Sequence, residues 1–330
     1  MNKRRKLVIA LGASPLVASP LVSSVASFAQ QARVYRVGIL STARAADSPN
    51  VRAFTQGMEE LGWIDGQKIA IDYRFADGAV DRLPALALDL VKRKVDVILT
   101  FGGTATRAAK RAAGTVPIVF VTVIDPVAMG FVANRVQPGG NITGIAGIGS
   151  ELITKRLQVM KEALPKCSRV AVVTTGEPTD ISQFAEVQSA AQASRIEILS
   201  IKVRSADDLA QALALLRRWR ADSMYVLDAS LNFFNRRLLA EFAIKNRVPM
   251  IAGATPYADA GGLIGYGVNF EELSRRAADL VDKVLKGAKP ADIPVEQFST
   301  VELTINKRTA KILGIEIPQS LFQRANKVIE

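Results

Sequence analysis

The chain has 330 residues, 49% hydrophobic and 22% charged, which is enough apolar chain for about two buried cores and excludes a disordered protein. It holds no histidine and one cysteine, Cys167. That removes Ser-His-Asp and Cys-His catalysis, the commonest zinc ligand and any internal disulfide. The formal charge is +12, of which Lys3, Arg4, Arg5 and Lys6 supply four in a first segment without acids, leaving about +8 for the rest. Those remaining cations are scattered among acids, as in Lys92-Arg93-Lys94 beside Asp89 and Asp96. No basic stripe interleaves with aromatics, so nucleic acid is not an expected partner. The balance favours a protein that binds over one that does covalent chemistry.

The four basic residues precede an apolar run beginning Leu7-Val8-Ile9, and Ser27-Phe28-Ala29 places small residues where a signal peptidase reads. Residues 1–29 therefore read as an export signal cleaved after Ala29, and the protein as periplasmic. Pro15 and Pro20 interrupt the apolar run short of the ~20 residues a membrane span needs. Arg4-Arg5 leaves both the general and the twin-arginine export routes open.

Beyond the signal, strand and helix patterns alternate. Val34 to Leu40 is short, β-branched and apolar, as in a buried strand. Ser48-Pro49 reads as a cap with proline opening a helix through Phe54, Met58 and Leu61, ending at Gly62. Ile69–Tyr73, Val95–Leu99 and Pro117–Val121 are further strands, with helices over Asp81–Lys92 and Gly103–Ala113 between them. Continuous apolar strands separated by helices imply a parallel sheet covered on both faces.

The order then recurs. Arg36-Val37-Gly38-Ile39-Leu40 resembles Arg169-Val170-Ala171-Val172-Val173, and Val116-Pro117-Ile118-Val119 resembles Val248-Pro249-Met250-Ile251. Four such landmarks are separated by 133, 127, 126 and 132 residues. Two similar doubly wound parallel-sheet lobes follow, an α/β fold. Pro138-Gly139-Gly140-Asn141 ends the first lobe, Ser150 is placed to cap the first helix of the second, and the chain leaves the second lobe near Gly261–Gly267. Asn269 and Glu272 have capping-box spacing ahead of a long amphipathic helix from Glu271 to Lys286. Gln297 to Ile305 reads as one extended segment, followed by a short helix and tail.

These stretches, with Phe54-Thr-Gln-Gly-Met-Glu-Glu-Leu-Gly-Trp, Asp81-Arg-Leu-Pro-Ala-Leu-Ala, Pro138-Gly-Gly-Asn-Ile-Thr-Gly and Lys286-Gly-Ala-Lys-Pro-Ala-Asp-Ile-Pro-Val, carry a family resemblance over residues 33–330. The chain resembles the bacterial ABC-transporter substrate-binding proteins of the type I periplasmic-binding fold, in the branch that includes tryptophan- and tyrosine-binding proteins. The resemblance implies two lobes joined by a hinge with three crossovers. The expected division is a signal over 1–29, a first lobe over 30–147 to which 269–298 return, and a second over 148–268 to which 303–330 return.

Ligands of open parallel sheets lie at the carboxyl ends of the strands. In the first lobe those loops are Ser41-Thr42, Gly102-Gly103-Thr104 and Thr122–Asp125; in the second they are Thr174-Thr175-Gly176, Asp228-Ala229-Ser230 and Gly253-Ala254-Thr255. Gly103 and Thr104, at a helix start, suit a carboxylate, or Thr104 caps its own helix. Asp228 suits a ligand ammonium, or caps the helix near Asn232. Asp125 has the same alternatives. Ser41, Thr42, Thr174 and Thr175 read as hydroxyl donors or strand-end turns, and Ala254 as backbone lining. Phe101, Phe120 and Tyr257 line an apolar pocket or belong to the core.

No nucleophile elbow, dinucleotide fingerprint or metal cluster occurs, so neither an enzyme nor a cofactor is expected. Asp96 and Asp222, at repeat-equivalent strand starts, lie on the wrong sheet edge to act as an acid–base pair. A sugar-responsive repressor of this fold would need a helix-turn-helix where the signal stands. The expected function is the solute-binding component of an ABC-type uptake system, closing on a small amino acid-like zwitterion. Its expected partners are that ligand and a membrane permease, with the protein a monomer. A sensing protein for a membrane receptor, or a carrier of a different solute, remains the alternative.

Overall fold

Thirteen strands form two sheets among the described residues of the computed structural model, which are 33–330 without 43–48, 148–149, 177, 206 and 298–299. The expected signal, its cleavage point and the Ser48 cap lie outside these residues, as does the side chain of Ser150. In the first sheet the chain runs β1 (Tyr35–Ser41), α1 (Pro49–Glu60), β2 (Ile69–Phe75), α2 (Leu83–Lys92), β3 (Val97–Phe101), α3 (Gly102–Ala112), β4 (Ile118–Val123) and β5 (Ile142–Ala146). The second continues α4 (Ser150–Ala163), β6 (Arg169–Thr174), α5 (Pro178–Ala193), β7 (Glu197–Lys202), α6 (Asp208–Trp219), β8 (Ser223–Val226), α7 (Ser230–Phe234), α8 (Arg236–Lys245), β9 (Met250–Ala252), α9 (Thr255–Asp259) and β10 (Ile264–Val268). Next come α10 (Phe270–Leu285), β11 (Glu296–Gln297), β12 (Val301–Asn306), α11 (Lys307–Leu313), α12 (Gln319–Arg324) and β13 (Lys327–Ile329).

The first sheet, ordered β11-β5-β4-β3-β1-β2, is parallel throughout. The second, β13-β12-β10-β9-β8-β6-β7, is parallel except where β12 pairs antiparallel with β10. Each sheet is the centre of one lobe, with helices on both faces, because its strands are apolar on both sides. The doubly wound order expected from the repeat is the order found. The chain passes between sheets three times: after β5, after β10 and between β11 and β12.

The last crossover corrects one expectation. Residues 297–305 are not one extended segment; β11 pairs with β5 in the first sheet and β12 with β10 in the second. The segment is continuous in pattern because both pieces are strand, but its halves bond to different neighbours. The tail likewise holds two helices and β13, not a single short helix. The second helix begins at Leu83 after a 3-10 turn over Val80–Arg82, since Pro84 is tolerated only in a first turn.

Helix α10 covers the first sheet. Leu273, Ala277, Leu280, Val281 and Val284 pack with Phe54 and Met58 of α1 and with Val97, Leu99, Val119 and Val121. Gly57 lets α1 approach closely: a Cβ there would lie 2.9 Å from that of Ala278. Asn269 caps α10, its side chain accepting from the amides of Glu271 and Glu272. No described helix is long and apolar enough to cross a membrane.

Candidate functional site

The carboxyl edges of the two sheets face one another, and in this structure they touch. The ring of Phe234, in α7, occupies the space a side chain would need at Gly78, in the loop after β2. Gly78 stays in place by donating its amide to Thr42 O, with a φ of 81° that suits glycine.

On the first lobe's edge, Ser41 ends β1 and accepts from Ala76 N through its backbone oxygen; Ser41 and Thr42 are both buried. The third helix starts one residue earlier than predicted. Gly102, at φ 80°, opens α3, and no side chain caps it. The capping reading of Thr104 is therefore incorrect: Thr104 stands inside the first turn. Thr106 anchors that turn, bonding Gly102 O and Thr100 Oγ1, both at 2.8 Å in the buried interior. Met129 lies over Gly103 and fills the room its missing Cβ leaves. Thr122 sits at φ 63° where β4 shifts register against β5, an uncommon conformation for a β-branched residue. Asp125 caps the next turn, its Oδ1 accepting from Val127 N and Ala128 N.

The second lobe's edge is built differently. Arg156, on α4, is 1% exposed and donates three ways: to Tyr266 O at 2.9 Å, to the Tyr225 hydroxyl at 2.8 Å and to Asp228 Oδ2 at 3.0 Å. The guanidinium also lies 5.4 Å from the centre of the Tyr225 ring. Burial works against its charge, but Asp228 and Tyr225 hold its pKa above the ordinary value. Burial pushes the Tyr225 hydroxyl up to about 12, so it stays a neutral donor–acceptor. Gly253 makes the cluster possible, since a methyl group there would overlap Asp228 and crowd Arg156. Gly267 in turn leaves room for the Gly253 carbonyl.

Asp228 does not cap α7, as one reading of the sequence had it; the cap position is Ala229 and carries no side-chain bond. Its backbone is clamped by Gln183, which accepts from Asp228 N and donates to Asp228 O. Thr174 donates to Ile201 O and Thr175 to Asp180, so both hydroxyls are engaged within the lobe. Ala254 is fully buried and precedes α9. Phe120 and Tyr257 are core residues, while Phe101 is half-buried at the core's edge.

Three participants escaped the sequence reading. Arg156 hid on an apolar helix face, among Leu152, Ile153, Leu157 and Met160; a cation at that spacing was the available signal. Phe233 meets Tyr257 and Phe270 edge-on, with ring centres 5.9 and 5.2 Å apart, and Arg236 over its face at 4.5 Å. Glu186, one turn along α5 from Gln183, has an inaccessible Oε2 without a hydrogen-bond partner among the described residues. Burial, then the charge of Asp125 on the opposite lobe, raise its pKa. Among the described residues no group of acids and cysteine could hold a metal ion.

Residues 43–329 match the family described as ABC transporter substrate binding protein. The tyrosine-binding protein of Clostridioides difficile (strain R20291) is 28% identical over 266 residues, covering 80% of this chain and 76% of that one. A conserved domain protein from Vibrio cholerae superposes with a TM-score of 0.84 at 24% identity, over 90% of this chain and 100% of that chain. An ABC domain in complex with L-Trp from Streptococcus pneumonia gives 0.83 at 23% identity, with the same coverage. A ligand-free, open substrate-binding protein from Clostridium difficile gives 0.65 at 25%, over 90% and 99% of the two chains.

Proposed function

Because this chain belongs to the ABC transporter substrate-binding protein family, we propose that it closes its two lobes on a small amino acid, an aromatic one such as tyrosine or tryptophan, and presents it to a membrane permease. Proteins of this family bind substrates and are not enzymes. The observation that carries the reading is the pairing of unlike edges across one cleft. The glycine-opened turn of α3 offers backbone amides to a carboxylate, while Glu186 and Asp125 offer charge to an ammonium. Phe233 and its aromatic neighbours supply an apolar wall between them. The named ligands of two relatives, tyrosine and L-Trp, support the same class.

The architecture supports opening and closing. Three extended crossovers join two separately cored lobes, and a ligand touching both favours the closed arrangement. Higher similarity to the L-Trp-bound chain than to the ligand-free open one, 0.83 against 0.65, supports a closed state here. The basic-apolar-small order of residues 1–29 supports export, cleavage near Ala29 and a periplasmic location. Calorimetry against amino acids, sugars and nucleosides tests the ligand class. Binding of tyrosine or tryptophan with a smaller radius of gyration in solution scattering is expected. Binding of a sugar or nucleoside with amino acids silent would overturn it.

A further inference from the structure

A ring of the second lobe rests on bare backbone of the first. Helix α7, which carries it, is fastened to its own lobe: Leu231 and Asn232 are buried, and the Asn232 amide donates to Leu227 O at 2.9 Å and to Val173 O at 3.4 Å. The next two residues are both phenylalanine, with different neighbours. Phe233 meets Tyr257 and Phe270, and Phe270 is the first residue of α10, directly beyond the crossover that follows β10. Phe234 is half-buried and reaches the first lobe, where a Cβ at Gly78 would lie 2.5 Å from its ring. The receiving turn is held as firmly as the ring. Ala76 N and Gly78 N donate to Ser41 O and Thr42 O, each at 2.9 Å. Asp77 and Gly78 are consecutively left-handed, at φ of 53° and 81°. Glycine at 78 meets two demands at once, the positive φ and the seat for a ring.

We propose that Phe234 and Gly78 form a clasp that biases the two lobes toward closure, with or without a solute between them. The inference rests on the closing motion proposed above and names what fastens its moving end. Phe233 sits against a crossover, so its contacts change little as the lobes turn. Phe234, one residue on, loses Gly78 as soon as they part. Each partner belongs to a fixed part of its lobe, so the contact is made or broken as a unit. Helix α7 also lies against α3 of the first lobe, on the same side. The apolar area the ring covers favours the closed arrangement by a constant amount, whatever the cleft holds. A solute then needs less differential affinity to complete closure, and its escape waits on the ring lifting from Gly78.

The test compares the full chain as wild type, Phe234→Ala, Gly78→Ala and the double variant, in ligand-free solution scattering. Phe234→Ala removes the ring; Gly78→Ala keeps it and puts a methyl group in its seat. Each single variant should have a larger radius of gyration than wild type. The double variant should be no larger than Phe234→Ala, because the methyl group then meets no ring. A radius equal to wild type in either single variant would overturn the clasp, and so would a double variant that opens further than Phe234→Ala. A ring that merely packed within its own lobe would lower the unfolding midpoint and leave the radius unchanged. With L-tyrosine as probe, dissociation from Phe234→Ala should be about three-fold faster or more, with association little changed. Equal dissociation rates would also overturn the clasp. If tyrosine does not bind wild type, the amino acid reading fails and the ligand-free radii decide on the clasp. Should Phe234→Ala not fold, Gly78→Ala against wild type decides alone.

Discussion

The amino edges of the two sheets are copies of one another, and the carboxyl edges are not. At the amino edge of the first, Arg36 N donates to Asp96 Oδ2 at 2.7 Å while Asp96 N donates back to Arg36 O at 2.8 Å. In the second, Arg169 N donates to Asp222 Oδ2 at 2.9 Å and Asp222 N returns to Arg169 O at 2.8 Å. The residues two before these acids, Lys94 and Arg220, share a left-handed backbone, with φ of 55° and 54°. At the carboxyl edges, glycine and hydroxyl groups in one lobe oppose a buried guanidinium and its carboxylate in the other. The repeated edge holds strands together, where one solution serves both lobes. The divergent edge is the one proposed to meet the solute, an amino acid whose two ends differ chemically.

The largest expected effect falls on the divergent side. Asp228→Ala would leave a guanidinium uncompensated in the interior, at a cost of about 3–5 kcal/mol in urea unfolding. Arg156→Met should cost less, because the Asp228 side chain it abandons is 33% exposed and can rehydrate. The double substitution should recover most of the loss. Equal costs for the two single variants would mean that Asp228 is not the main partner of Arg156.

The repeated side should respond symmetrically. Asp96→Ala and Asp222→Ala each remove a carboxylate that ties two strands, at about 1–2 kcal/mol apiece. A difference of more than about 1 kcal/mol between them would break the equivalence. Asp222 adds a pH signature. Burial opposes its charge, but the amides of Ser168 and Arg169 outweigh it and hold the carboxyl below its usual range. The folded pKa lies under the unfolded value, so this stabilisation is present above about 3.9 and lost as pH falls through the folded pKa. The gap between wild type and Asp222→Ala should narrow in acid unfolding.

The smallest effects concern left-handed residues. Lys94→Gly and Arg220→Gly should each change stability by no more than about 1 kcal/mol, toward greater stability, and leave ligand affinity alone. Thr122→Gly should stabilise by about 1 kcal/mol through relief of a β-branched residue. Unlike the other two it lies at the cleft, so it should also shift the tyrosine dissociation constant. An unchanged constant would assign the Thr122 conformation to the strand irregularity alone.

What the sequence made legible divides along the same line. Buried parallel strands announce themselves as apolar runs, and two copies of one pattern fix their order, so the strand alternation and the pairing of Asp96 with Asp222 could be read. The Asn269 cap was legible because it is local, satisfied within three residues. Arg156 and Glu186 were not, because their roles depend on partners far along the chain: Tyr225 and Asp228 for one, Asp125 on the opposite lobe for the other. Thr104 misled for a similar reason. The backbone of Gly102, free to take a positive φ, moved the helix start to a place no capping residue marked. The break between Gln297 and Val301 was invisible because both flanks are strand and only their neighbours differ.

The crossovers have a consequence for the order in which the protein can be completed. The apolar face of the first sheet is covered by α10, and its edge is finished by β11, yet both are synthesised after every strand from β6 to β10. An emerging chain therefore carries Phe54, Met58, Val97 and Val119 uncovered until the opposite lobe has been made. Neither sheet is complete until most of the chain has been made, because β12 and β13 finish the second later still.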